Sequence, residues 1–118
     1  MLAKYLIALT SLTATVLGAL DISTPLGVVV CQPVPIIWSG GTGPYSLSVI
    51  PGGQLNAAPL KDFGELAAQI SVYTWAVDIP AGTLITLKLA DSNGEIAYSV
   101  PFTPKAGKSD ACLQEALS

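Results

Sequence analysis

The chain has 118 residues, eight carboxylates, five lysines, no arginine and no histidine, for a formal net charge of −3. Beyond the first twenty positions the only cations are Lys61, Lys88, Lys105 and Lys108, which form no cluster, so the concentrated basic footprint of a nucleic-acid binder is missing. Without histidine the commonest general base and the commonest metal ligand are both absent, and no catalytic residue, metal site or cofactor is expected.

The chain opens like a secretory signal peptide. Lys4 supplies a short positive flank, Tyr5 to Leu20 is apolar or small, and Val16-Leu17-Gly18-Ala19 offers a small-residue exit with cleavage after Gly18 or Ala19. The rival reading is a membrane anchor, but Thr10, Ser11, Thr13 and Thr15 dilute the run below what a spanning helix wants. The expectation is a signal over 1–19, then a single domain over 20–118. That product would be secreted and extracellular with no membrane anchor, since the last residues, Asp110 to Ser118, are not an apolar tail. Loss of Lys4 would take the formal charge from −3 to about −4.

From Asp21 onward the sequence reads as short strands separated by turn residues. Asp21 to Thr24 starts extended and is broken by Pro25, and Gly27 to Cys31 carries three consecutive valines. Val34 to Ser39 follows Pro33 and contains Pro35, so its start belongs at an edge or a bend. Gly40 to Pro44 is a loop, Tyr45 to Ile50 a strand, and Pro51-Gly52-Gly53 its end. Gln54 to Gln69 reads as a loop plus a short edge strand, with room for one helical turn over Asp62 to Gln69. Ser71 to Ile79 has the strongest strand composition. After Pro80-Ala81-Gly82, Thr83 to Ala90 runs back. The Asn93-Gly94 pair then predicts a type I′ hairpin with Glu95 to Phe102 as partner.

Alternation assigns the faces. Tyr45, Leu47 and Val49 share one side; so do Tyr73, Trp75 and Val77; so do Ile85, Leu87 and Leu89; and so do Ile96, Tyr98 and Val100. Strands with one dry face each need a second sheet to cover them. The expected fold is all-β, an immunoglobulin- or fibronectin III-like two-sheet sandwich of about seven antiparallel strands.

Cys31 and Cys112 are the only cysteines, and an even count in a secreted chain argues for a bridge between them. Two buried free thiols are the alternative. A reactive thiol has no histidine to activate it.

Other motifs fall short of chemistry. Asp91-Ser92-Asn93-Gly94-Glu95 begins like a calcium loop, yet loop positions six and twelve would be Ile96 and Phe102 rather than glycine and glutamate. Gly40-Gly41-Thr42-Gly43-Pro44 lacks the lysine and following helix of a phosphate loop. The carboxylates lie mostly in turns or on wet strand faces, where solvation explains them. Alternation sends Tyr45, Tyr73, Trp75 and Tyr98 to the core, while Trp38 beside the glycine-rich loop reads either as a plug or as an open platform. Trp38 and Tyr45 are the two candidates for facing a ligand.

Four phrases carry a family resemblance: Pro33-Val-Pro-Ile-Ile-Trp-Ser-Gly-Gly41, Pro44-Tyr-Ser-Leu-Ser-Val-Ile-Pro-Gly-Gly53, Tyr73-Thr-Trp-Ala-Val-Asp-Ile-Pro-Ala-Gly-Thr83 and Leu89-Ala-Asp-Ser-Asn-Gly94. Together they resemble fungal secreted Ser/Thr-rich, often GPI-anchored cell-surface proteins, whose N-terminal domain is similar to that of the yeast cell-wall beta-glucan synthesis proteins. The resemblance implies an immunoglobulin-like sandwich at the fungal surface, a cysteine partner for Cys31 after the last strand, and no catalytic residues. The chain stops at Ser118 without a Ser/Thr-rich stalk, which favours a diffusible form, and small secreted relatives include mushroom immunomodulatory proteins.

The function expected is therefore non-enzymatic: a structural or carbohydrate-binding module with fungal wall polysaccharide as ligand. The alternative is a diffusible immunomodulatory or effector-like protein acting on foreign cells through a cell-surface receptor. A homodimer is compatible with either.

Overall fold

The computed structural model describes residues 18–117; the expected signal peptide lies almost wholly outside them. Seven strands and one short helix follow in order: β1 (Asp21–Ile22), β2 (Pro33–Ser39), β3 (Tyr45–Pro51), β4 (Lys61–Leu66), β5 (Val72–Ala76), β6 (Ile85–Ala90), β7 (Ile96–Tyr98) and α1 (Ala111–Leu117). They form two antiparallel sheets, β1-β2-β5 and β4-β3-β6-β7. The all-β, two-sheet sandwich expected from alternation is what the chain adopts. In the immunoglobulin constant arrangement the fourth strand would sit beside the fifth. Here β4 joins the other sheet, beside β3.

The core follows the period-two pattern. Leu47 and Val49 of β3 and Ile85, Leu87 and Leu89 of β6 are fully buried, facing Val34, Ile36, Trp38 and Trp75 of the opposite sheet. Pro33 and Pro35 are tolerated in β2 for a geometric reason. Ile37 gives its carbonyl to Ser23 N–H on the β1 side, so odd-numbered β2 residues aim their backbone away from β5. β1 reaches only Ser39 and Trp38 in the pairing, and the missing proline N–H groups fall on an open edge.

Four local expectations are corrected. Gly27 to Cys31 is not a strand: only Val29 makes a bridge, to Lys105. Val28 and Val30 are buried one on each side of it, and Cys31 takes a positive φ of 68° that ends any extended run. Asp62 to Gln69 holds no helical turn; most of it is β4, the short edge strand expected in this stretch, with an extra residue opposite β3 between Ser46 and Ser48. Gly64, at φ 77°, supplies that bulge, which shifts the inward phase from Lys61 and Phe63 to Leu66.

The other two corrections share a cause. Asp91 N–H donates to Glu95 C=O, and Gly94 at φ 84° follows a turn closed by its own N–H to Asp91 C=O. The hairpin loop is thus three residues long, Ser92 to Gly94, and not a two-residue type I′ turn. One added residue moves the register, so Leu89 pairs with Ala97 rather than Tyr98. Every side chain of β7 then changes face. Ala97 and Ser99 point inward, while Ile96 and Val100 are exposed.

Cys31 and Cys112 form the disulfide, with Cα atoms 5.6 Å apart and a sequence separation of 81. The link fastens α1 to the base of β2 and β5, where Cys31 N–H also donates to Val77 C=O. Among the described residues no helix is long and apolar enough to cross a membrane.

Candidate functional site

Both residues singled out for a ligand lie inside the sandwich. Trp38 is 3% exposed and Tyr45 7%, with ring centroids 5.6 Å apart in an edge-to-face pair. Trp38 is on the inward phase of β2, and Tyr45 opens β3 with its hydroxyl donating to Gly40 C=O at 3.0 Å. The aromatic beside the glycine-rich loop is a plug. Its indole Nε1 is buried and meets no hydrogen-bond partner among the described residues. Neither ring offers solvent a face on which a ligand could stack.

The loop itself is clasped by the β6–β7 hairpin. Asp91 is buried, and its carboxylate accepts from the main-chain N–H of Thr42 at 3.0 Å, Asn93 at 3.0 Å and Glu95 at 2.8 Å. Burial pulls the Asp91 carboxyl upward. The three N–H bonds outweigh that and hold its pKa below the ordinary 3.8. Ser92 Oγ donates to the Thr42 and Gly43 carbonyls, and Asn93 Nδ2 donates to Thr42 Oγ1. What resembles the start of a calcium loop spends its oxygens on backbone. Among the described residues no three His, Cys, Asp or Glu side chains are grouped to hold a metal ion.

The aromatic surface open to solvent is elsewhere, where the β4 and β5 edges meet along one side of the sandwich. Phe63 on β4 and Tyr73 on β5 are half-buried, 5.1 Å apart between centroids, and Phe63 meets the buried Trp75 edge-on at 5.7 Å. Polar groups border this ledge. Trp75 Nε1 donates to Asp78 Oδ1 at 3.0 Å, and Lys61 Nζ donates to Asp78 Oδ2 at 2.6 Å while lying 5.8 Å from the Phe63 centroid. The Lys61 side chain is 37% exposed and that of Asp78 16%. Two half-buried rings tilted 50° to each other, edged by a carboxylate, an ammonium and a phenol, suit a ligand with an apolar face and a hydroxylated rim.

A groove of about 390 Å³ lies beside the disulfide among Val30, Pro80, Lys108 and Leu113. It has no aromatic wall, and the ledge is the better-equipped site. Sequence reading placed Tyr73 and Trp75 on one face but put Phe63 in an ill-defined stretch, because the Gly64 bulge breaks the alternation that would have joined it to them. Phe-Gly at the end of a Lys-Asp run was the one available signal.

The chain matches no protein-family model, and no curated protein is recognisably similar to it in sequence.

Proposed function

We propose that this protein is a secreted, non-enzymatic extracellular module of fungal cell-surface type that binds wall polysaccharide, beta-glucan in particular, on the Phe63–Tyr73 ledge. The observation that carries the reading is the half-exposed aromatic pair beside the Lys61–Asp78 ion pair. A pyranose ring has C–H bonds on its faces and hydroxyls around its rim. The faces stack on the aromatic rings, and the rim meets the Asp78 carboxylate, the Lys61 ammonium and the Tyr73 phenol. The disulfide supports an oxidising compartment, and the resemblance to fungal wall proteins supports the substrate class.

The test is retention of the oxidised protein on insoluble beta-glucan, with Phe63→Ala and Tyr73→Ala beside the wild type. Retention reduced by about tenfold or more in either variant, equivalent to about 1.4 kcal/mol, with an unchanged circular-dichroism spectrum, supports the ledge. Wild-type protein that washes through at every salt and pH overturns it.

The alternative is a diffusible protein acting on foreign cells through a cell-surface receptor. It calls for cytokine release from macrophages that survives endotoxin removal and disappears when the protein is unfolded.

A further inference from the structure

The outer face of the three-stranded sheet is the other unexplained surface. Antiparallel register sets Pro35 beside Thr74 and Ile37 beside Val72. The alternation that buries Val34, Ile36 and Trp75 turns these four outward, together with Ala76. Leu26, 91% exposed, stands at the margin where a shallow groove runs between the β1–β2 connection and β2. Ile37 and Val72 are half exposed. Together these side chains leave roughly 600 Å² of surface bare per copy, the upper end of what a monomer ordinarily shows as one apolar patch.

We propose that this face docks a second copy of the same chain. Area is the first argument. Two such faces, if wholly covered, together bury at most about 1,200 Å², which just reaches the lower limit for a specific protein pair, so a weak, concentration-dependent dimer is what this face supports. Charge is the second. Each copy is net negative, and copies approach best where carboxylates are few. Asp62 and Glu65 are on β4, Asp78 is turned to Lys61, and Asp91 and Glu95 lie in the β6–β7 hairpin. Of the strand and hairpin carboxylates, Asp21 alone shares the outer face, at its far corner opposite Ser39.

Shape and chemistry are the third. The patch is a flat sheet surface of small and branched side chains, which stacks on another sheet at about 10 Å. It carries no Trp, Tyr or Arg anchor of the kind that dominates one-to-one receptor recognition. It carries no lysine to draw it to anionic lipid, and little beyond the Thr74 hydroxyl to hydrogen-bond a sugar. A two-fold related copy needs none of these, because an isologous contact asks only that the patch fit itself. The ledge lies on the inner side of β5, so this docking leaves it open.

Sedimentation velocity on the oxidised protein from about 1 to 500 μM tests the proposal without any glycan present. The expected result is a concentration-dependent dimer with a micromolar dissociation constant. Ile37→Glu should raise that constant at least tenfold with the thermal midpoint and circular dichroism retained, and Ser46→Glu on the opposite sheet should not change it. Thr74→Lys, at an exposed threonine of the same face, serves if Ile37→Glu fails to fold. A wild type that stays monomeric at the highest concentration overturns the proposal. So does a dimer equally tight in both outer-face variants. A monomer that instead sediments with phosphatidylcholine vesicles, and ceases to do so when Ile37 is replaced, overturns the choice of a second copy in favour of lipid.

Discussion

The carboxylate of Asp91 accepts from Thr42 N–H, 49 positions away, as well as from two N–H groups of its own turn. The folded chain therefore favours the ionised form, and a group whose folded pKa lies below its unfolded value stabilises the fold above that unfolded value. The contribution is complete above the ordinary aspartate pKa of 3.8 and is lost as pH falls through the lower folded value. Asp91→Asn keeps one acceptor oxygen but presents an amide donor where a carboxylate oxygen was. Urea titrations from pH 6 to about pH 2.5 should show a variant less stable at neutral pH and with a shallower acid-side decline. Parallel pH profiles for the two proteins would refute the role given to Asp91. Trp38 shows the limit of residue-level reading. Its place beside a glycine-rich loop left plug and platform open, and the inward phase of β2 decides for the plug.

At the scale of elements, turn residues located β2, β3, β5 and β6, and alternation gave the inward side of β3, β5 and β6, whose alternate apolar residues meet a buried partner face. It failed where one residue is added. The Gly64 bulge hid the inward side of β4, which was expected only as a short edge strand within Gln54 to Gln69, and the three-residue loop before β7 reversed the inward side of that strand, so Ala97 faces the core and Ile96 faces water. Asn-Gly alone does not distinguish a two-residue loop from a three-residue one. The determinant is Asp91, whose Oδ1 accepts from Asn93 N–H and Glu95 N–H and closes the turn one residue early. Gly94 then carries the positive φ of 84°, in open space with nothing near a would-be Cβ. Gly94→Ala meets a backbone penalty without a clash, and should cost about 1 kcal/mol in a denaturant titration with the m-value unchanged. A neutral substitution would show that the loop relaxes to another turn.

Across the whole molecule, the pairing of the two cysteines was legible from their even count and the compartment expected, whereas the ledge was not, because it is assembled from edges of different sheets. The disulfide closes a loop of 81 positions. Replacing both cysteines by serine should cost on the order of 4 kcal/mol by chain entropy, read as a midpoint in urea moved far toward zero; a shift under about 1 kcal/mol would place the stability in the sheets alone. The two proposals made for this chain also meet at this scale. A dimer formed through the outer faces of β2 and β5 would present two ledges, and tethering two weak sites to a repeating polymer multiplies retention by effective concentration, without a new contact. Ile37→Glu should then lower retention on insoluble beta-glucan by about tenfold or more while leaving the dissociation constant for a short soluble oligosaccharide unchanged, because a single ledge is intact. Phe63→Ala should lower both. Should Ile37→Glu weaken the soluble oligosaccharide as well, the sugar would be meeting the outer face itself, and the division of labour between ledge and sheet would be wrong.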